Sequence, residues 1–174
     1  SHGSQWDPTN PTEIARLDKI EKSALQHIEN AVNKGDPPIG GLLLEPILGP
    51  KGVYFYRPQF LQQVRALCDR LEIPIFADEI LTSGGRTGKF FAYQHYEGFE
   101  PDFVTFGKGL QVAGVATVAR AGRPNVFNLL PNRVVTLTAY DEALLKGAQI
   151  MKRIKEGNLL KNSEEVGDYF RARL

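Results

Sequence analysis

The chain has 174 residues, 42% hydrophobic and 24% charged, which suits one globular domain with a sizeable core and excludes wholesale disorder. Lys and Arg number 21 against 20 Asp and Glu, a net charge of +1, so the electrostatics give no grip on nucleic acid or an anionic membrane. No apolar run approaches the ~20 residues that cross a bilayer, and the single cysteine, Cys68, cannot form an internal disulfide, which fits a cytoplasmic protein.

The first four residues, Ser1-His2-Gly3-Ser4, lack the basic and apolar regions of a signal peptide and are compatible with a tag remnant. Residues 1–11 read as an irregular segment. Asn10-Pro11-Thr12-Glu13 predicts a helix start, with Asn10 as cap and Glu13 reaching back to it. Ile14, Leu17, Ile20, Ala24, Leu25, Ile28 and Val32 then form one helical stripe, stopped at Gly35-Asp36-Pro37-Pro38. Ile39 to Leu44 has no alternation, so it predicts a strand buried on both faces, as in a parallel sheet. A loop follows at 49–52. Pro58 opens a second helix with Phe60, Leu61, Val64, Leu67, Cys68 and Leu71 on one face. Pro74 to Ala77 is a second buried strand, running into Asp78-Glu79. A Gly-rich loop (82–88) and an aromatic segment (90–96) lead to a third strand, Phe103 to Phe106, ending at Gly107-Lys108-Gly109. Gly114 to Ala119 is a fourth, and Asp141 to Lys155 and Ser163 to Leu174 read as helices.

This order predicts an α/β fold with a mostly parallel sheet and flanking helices. Such sheets gather ligand groups at the carboxyl ends of their strands. Three charged residues fall there: Glu45, Asp78 and Lys108. A lysine amine can form a Schiff base with an aldehyde cofactor, and a carboxylate can hold a pyridine nitrogen protonated.

Four segments carry a resemblance in register: Leu43-Leu44-Glu45-Pro46-Ile47, Phe76-Ala77-Asp78-Glu79-Ile80, Gly85-Arg86-Thr87-Gly88-Lys89-Phe90-Phe91-Ala92 and Pro101-Asp102-Phe103-Val104-Thr105-Phe106-Gly107-Lys108-Gly109. Together they resemble the class III (omega) aminotransferases, from about Ile39 to Leu174. The resemblance implies an incomplete large domain of a fold-type-I transferase using pyridoxal 5'-phosphate. Residues 12–156 would form part of that cofactor-binding domain, and 157–174 a helix leading toward a small domain outside the chain. It further implies Lys108 as the Schiff-base lysine, Asp78 as the pyridinium partner and Glu45 near the substrate side of the ring. Thr136 aligns with a phosphate-binding threonine offered to the neighbouring subunit, hence a homodimer with shared sites. Family chains are longer, with an amino-terminal phosphate loop that these residues lack.

Departures accompany the match. Leu81 stands where the family usually has a glutamine touching the cofactor's phenolic oxygen, and Leu48 replaces another glutamine. Thr138-Ala139-Tyr140-Asp141 replaces a Gly-Gly-Asn-Pro segment. Asp78 would also serve as a helix cap, and Glu45-Pro46 equally well as a strand end. Gly84 to Lys89 is no phosphate loop, since Phe90 occupies the position of the magnesium-binding Ser or Thr. His27 and His95 have no metal-ligand spacing, so no metal is expected. Phe90, Phe91, Tyr93 and Tyr96 suit core packing better than a substrate channel.

The leading expectation is an aminotransferase moving an amino group from a terminal amine to a 2-oxo acid. Gln111-Val112-Ala113-Gly114-Val115 faintly resembles lysine 6-aminotransferases. The alternative is a non-catalytic fragment or degenerate paralogue with a structural or dimerisation role. A nucleotide-binding module is rejected, because no Gly-x-Gly-x-x-Gly follows a strand.

Overall fold

The computed structural model describes residues 6–49, 52–120 and 140–174. Helix α1 (Pro11–Lys34) begins where the cap signal lies: Asn10 Oδ1 accepts from the amides of Thr12 at 3.1 Å and Glu13 at 3.3 Å. Glu13 does reach back, but to the Asp7 amide at 3.0 Å rather than to the cap. None of α1 is fully buried, so its stripe lies along the body of the fold, with Ala24, Leu25 and Val32 against the core. Arg57, buried at the start of α2 (Pro58–Arg70), is held by Glu21 and Asp18 of α1, which fixes the two helices together.

Strands β1 (Leu42–Leu44), β4 (Ile75–Asp78), β5 (Phe103–Phe106) and β6 (Gly114–Thr117) form one sheet in the order β1-β4-β5-β6. The first three are parallel and β6 runs antiparallel to β5. Two short strands absent from the sequence reading, β2 (Ile47–Leu48) and β3 (Tyr54–Phe55), make an antiparallel pair beside it. The core is the apolar face of α2 (Phe60, Leu61, Val64, Cys68) closed by Ile73, Ile75, Tyr96 and Phe99. Burial pushes the Cys68 thiol up to about 11, leaving it an inert apolar group.

Ile75 and Ala77 of β4, with Val104 of β5, are fully buried. The opposite face carries Leu43, Phe76 and Phe103 in register, the two rings stacked at 4.5 Å. Leu43 is 63% exposed, so the expectation of a strand buried on both faces fails: one face is only partly covered. Register makes that face the one bearing Asp78, Thr105 and Val115 as well.

Helices α3 (Asp141–Glu156) and α4 (Leu159–Arg171) close the described chain, α4 starting four residues earlier than the Ser163 predicted. Gly147 of α3 sits over Val112 and the Leu110 carbonyl, where a Cβ would meet Val112 Cγ1 at 2.4 Å, so α3 docks beside the end of β5. A 3-10 turn (Ala92–His95) and a second one (Lys108–Leu110) link the strands.

Candidate functional site

The carboxyl ends of β1, β4 and β5 are adjacent, which brings Glu45, Asp78 and Lys108 to one edge of the sheet in that order. Asp78 Oδ1 accepts from Thr105 Oγ1 on β5 at 3.1 Å and from the Ile80 amide at 3.0 Å. Oδ2 has no hydrogen bond among the described residues. The carboxylate is therefore oriented through Oδ1 alone.

Lys108 lies two residues beyond β5 and is exposed, and its amine makes no ion pair among the described residues. Its backbone is at φ +38°, with Gln111 also left-handed at φ +57°. Each such non-glycine residue costs on the order of 1–3 kcal/mol and persists only where the surroundings enforce it. The turn is closed by the Leu110 amide on Gly107 O at 3.1 Å and the Gln111 amide on Lys108 O at 3.0 Å.

Between these ends runs the loop 80–91. Its anchor is Glu79, fully buried. Its carboxylate accepts from the Thr82 hydroxyl and from the amides of Ala92 at 2.9 Å and Tyr93 at 2.7 Å. Burial pushes this carboxyl up, the three donors oppose that, and Asp78's charge adds to it. Sequence reasoning passed over Glu79, although a signal was present. The period-2 alternation that buries Ile75 and Ala77 continues to Glu79, and a carboxylate on the buried face must find donors. Of the aromatic segment, Tyr96 packs into the core as read, donates to Pro46 O at 3.0 Å and is pushed up to about 12 by burial, and Tyr93 packs against that core, whereas Phe90 and Phe91 are only half-buried. His27 Nδ1 lies 2.6 Å from Ser23 O, and His95 Nε2 lies 3.0 Å from Thr87.

Glu45 is half-buried, and its Oε2 accepts from the Gly49 amide at 3.4 Å. Burial and then the Glu45 charge push the Tyr56 phenol up. Leu81 packs on Gly49, its Cδ2 lying 2.1 Å from the point a Cβ would occupy there. An apolar contact thus fills the position where the resemblance expects an amide. Thr136 lies outside the described residues.

A family model for class III aminotransferases matches residues 5–174, beginning well ahead of Ile39. The chain belongs to the class III aminotransferases. It is 32% identical to 5-aminovalerate aminotransferase of Pseudomonas aeruginosa over 99% of its length, and 32% identical to L-lysine-epsilon aminotransferase of Mycobacterium bovis over 89%. It spans only 38% and 35% of the length of those two relatives. Among solved structures, a lysine aminotransferase from M. tuberculosis in the internal aldimine form superposes with a TM-score of 0.79 at 30% identity, over 96% of this chain and 38% of that one. The sheet with flanking helices is thus a piece of a class III aminotransferase large domain.

Membership makes pyridoxal 5'-phosphate the cofactor. The residues fit its ring. An exposed primary amine and a carboxylate with one oxygen unbonded among the described residues lie at the ends of neighbouring parallel strands, the nucleophile an aldehyde needs and the acceptor a protonated pyridine nitrogen needs.

Proposed function

We propose that the protein carrying this chain is a pyridoxal-phosphate-dependent aminotransferase taking an amino group from a terminal amine and delivering it to a 2-oxo acid. The observation that carries this reading is the pair of strand ends, Asp78 on β4 and Lys108 after β5, within a chain whose relatives act on 5-aminovalerate and lysine by name. Residues 12–156 are read as part of the cofactor-binding large domain, and 157–174 as leading out of it.

The cofactor, when bound, supplies an aldehyde for the amine and a conjugated ring that accepts the electrons released at the substrate carbon. Lys108 Nζ would hold it through that aldehyde, and as a free amine the same group would serve as the general base for the proton on the substrate carbon. Asp78 Oδ2 would accept the ring N–H and keep it protonated, while Oδ1, fixed by Thr105 and Ile80, holds the carboxylate plane. Thr136 is assigned to the phosphate held by a partner subunit, making the assembly a homodimer, and Glu45 to the substrate side.

Leu81 packed on Gly49 favours a second reading, a non-catalytic paralogue, because it removes an amide from the site. Borohydride reduction of the full-length protein with cofactor, followed by peptide mass spectrometry, decides between them. The enzyme reading expects the adduct on Lys108, with turnover of lysine or 5-aminovalerate against a 2-oxo acid. Adduct on a different lysine, or none, overturns it.

A further inference from the structure

The loop after β4 is tied at both ends to one side chain. Glu79 Oε2 accepts from the Thr82 hydroxyl and the Ala92 amide, and Oε1 from the Tyr93 amide. The Glu79 carbonyl takes the amides of Thr82 at 3.1 Å and Ser83 at 2.8 Å, and the Gly84 amide reaches Phe90 O at 2.9 Å. All three side-chain partners are donors, so a deprotonated carboxylate satisfies every one of them.

The loop folded in this way lies against the Lys108 turn. A Cβ on Gly109 would stand 3.5 Å from the Arg86 guanidinium and 3.6 Å from Ser83 O, and one on Gly84 would stand 3.1 Å from Leu110 Cδ2. Lys108 itself is held at φ +38°, a conformation that only enclosing structure maintains. Asp78, one residue before Glu79, is fixed separately through Thr105 and Ile80.

We propose that Glu79 is a positioning residue for Lys108: its buried carboxylate locks the Thr82–Phe91 loop, and that loop sets the turn from which the lysine amine projects. This rests on the reading of Lys108 as the cofactor-bearing residue. Glu79 touches neither the amine nor the substrate in this arrangement; it acts through Thr82, Ser83 and Arg86.

The test uses the full-length holoenzyme and three variants. Thr82→Val removes one donor to Glu79 while keeping side-chain volume and leaving all charges in place. Thr82→Ser retains the hydroxyl. Glu79→Gln replaces an acceptor oxygen with an NH2 group facing amide donors. Each is read as kcat and KM for the amine per mole of borohydride-trappable cofactor, beside its melting temperature. The expected result is a kcat about tenfold lower in Thr82→Val with KM nearly unchanged, rescue in Thr82→Ser, and a loss of about a hundredfold in Glu79→Gln. A role in stability alone would lower the melting temperature and leave kcat per trapped cofactor unchanged, which overturns the proposal. Should Glu79→Gln fail to fold, the Thr82 pair decides. Wild-type protein trapping no cofactor on Lys108 sinks the underlying reading and this one with it, whereas trapping on Lys108 with Thr82→Val at wild-type kcat overturns the positioning role alone.

Discussion

Lys108 shows how chemistry and backbone meet at one residue. Its flanking glycines and its distance from the third strand are written in the sequence, but its left-handed φ is not, because any residue type is compatible with that spelling until the turn is built. Two consequences follow for the protein carrying the chain. Lys108→Ala abolishes cofactor trapping while the circular dichroism spectrum stays native. Lys108→Gly is more stable than Lys108→Ala by about 1 kcal/mol, since only glycine adopts φ +38° without a Cβ penalty. Equal melting temperatures would mean that the strain is absent. Asp78→Asn is expected to fold, because the amide oxygen still accepts from Thr105 and Ile80. It presents an NH2 donor where the ring N–H needs an acceptor, so turnover falls by about a hundredfold or more. Wild-type turnover in this variant would reduce Asp78 to a local cap.

At the scale of elements, the sheet is fastened at the end away from the site. Asp102, just before β5, accepts from the Ile75 amide at 2.8 Å and Arg65 at 2.7 Å, while its other oxygen accepts from Arg120 at 3.0 Å. Arg65 and Arg120 also hold Asp69 of α2. Burial pushes the Asp102 carboxyl up, but the Ile75 amide and the two guanidinium groups outweigh it and hold it below the ordinary value. A depressed folded-state pKa stabilises above the unfolded value, and that contribution is lost as pH falls through the folded one. Urea unfolding should therefore show wild type exceeding Asp102→Ala by about 1.5–3 kcal/mol at neutral pH, because two guanidinium groups lose one of their two carboxylate partners and keep only Asp69. The gap should close in acid, below the ordinary carboxylate range; a gap independent of pH would refute the ionic account. The four strands of the sheet, the starts of α1, α2 and α3 and the core face of α2 were legible in the sequence, because they rest on local periodicity and helix-start signals. This clamp was not, since Arg65, Asp69, Asp102 and Arg120 meet only once the strands pair. The β2–β3 pair was missed for a related reason: two-residue strands carry too little period-2 pattern to register.

At the scale of the whole molecule, the apolar pattern outruns the packing that these residues supply. Ile39 to Leu44 carries the uniform hydrophobicity of a strand covered on both sides, yet Leu43 and, across the sheet, Val115 are exposed on one face. On α4, Val166, Tyr169 and Phe170 are likewise more than half exposed. Apolar residues grouped on one sheet face and one helix mark contact surfaces, and a parallel sheet is stable when both faces are covered. The 174 residues purified alone are thus expected to self-associate with rising concentration in light scattering; a monomer throughout would show these faces to be tolerated in water. The same chain should hold pyridoxal 5'-phosphate weakly. On the proposed reading Asp78 and Lys108 serve the ring and the aldehyde, but a phosphate near two negative charges needs several donors to replace its water. Thr136 is the residue assigned to that task, and by resemblance it serves a neighbouring subunit. Leu81 withholds a further hydrogen bond of about 0.5–1.5 kcal/mol. Following visible absorbance while cofactor is added, with Lys108→Ala as the blank, tests this. A shallow, unsaturated rise is expected, and a sharp stoichiometric end point would mean that phosphate donors are already assembled within these residues.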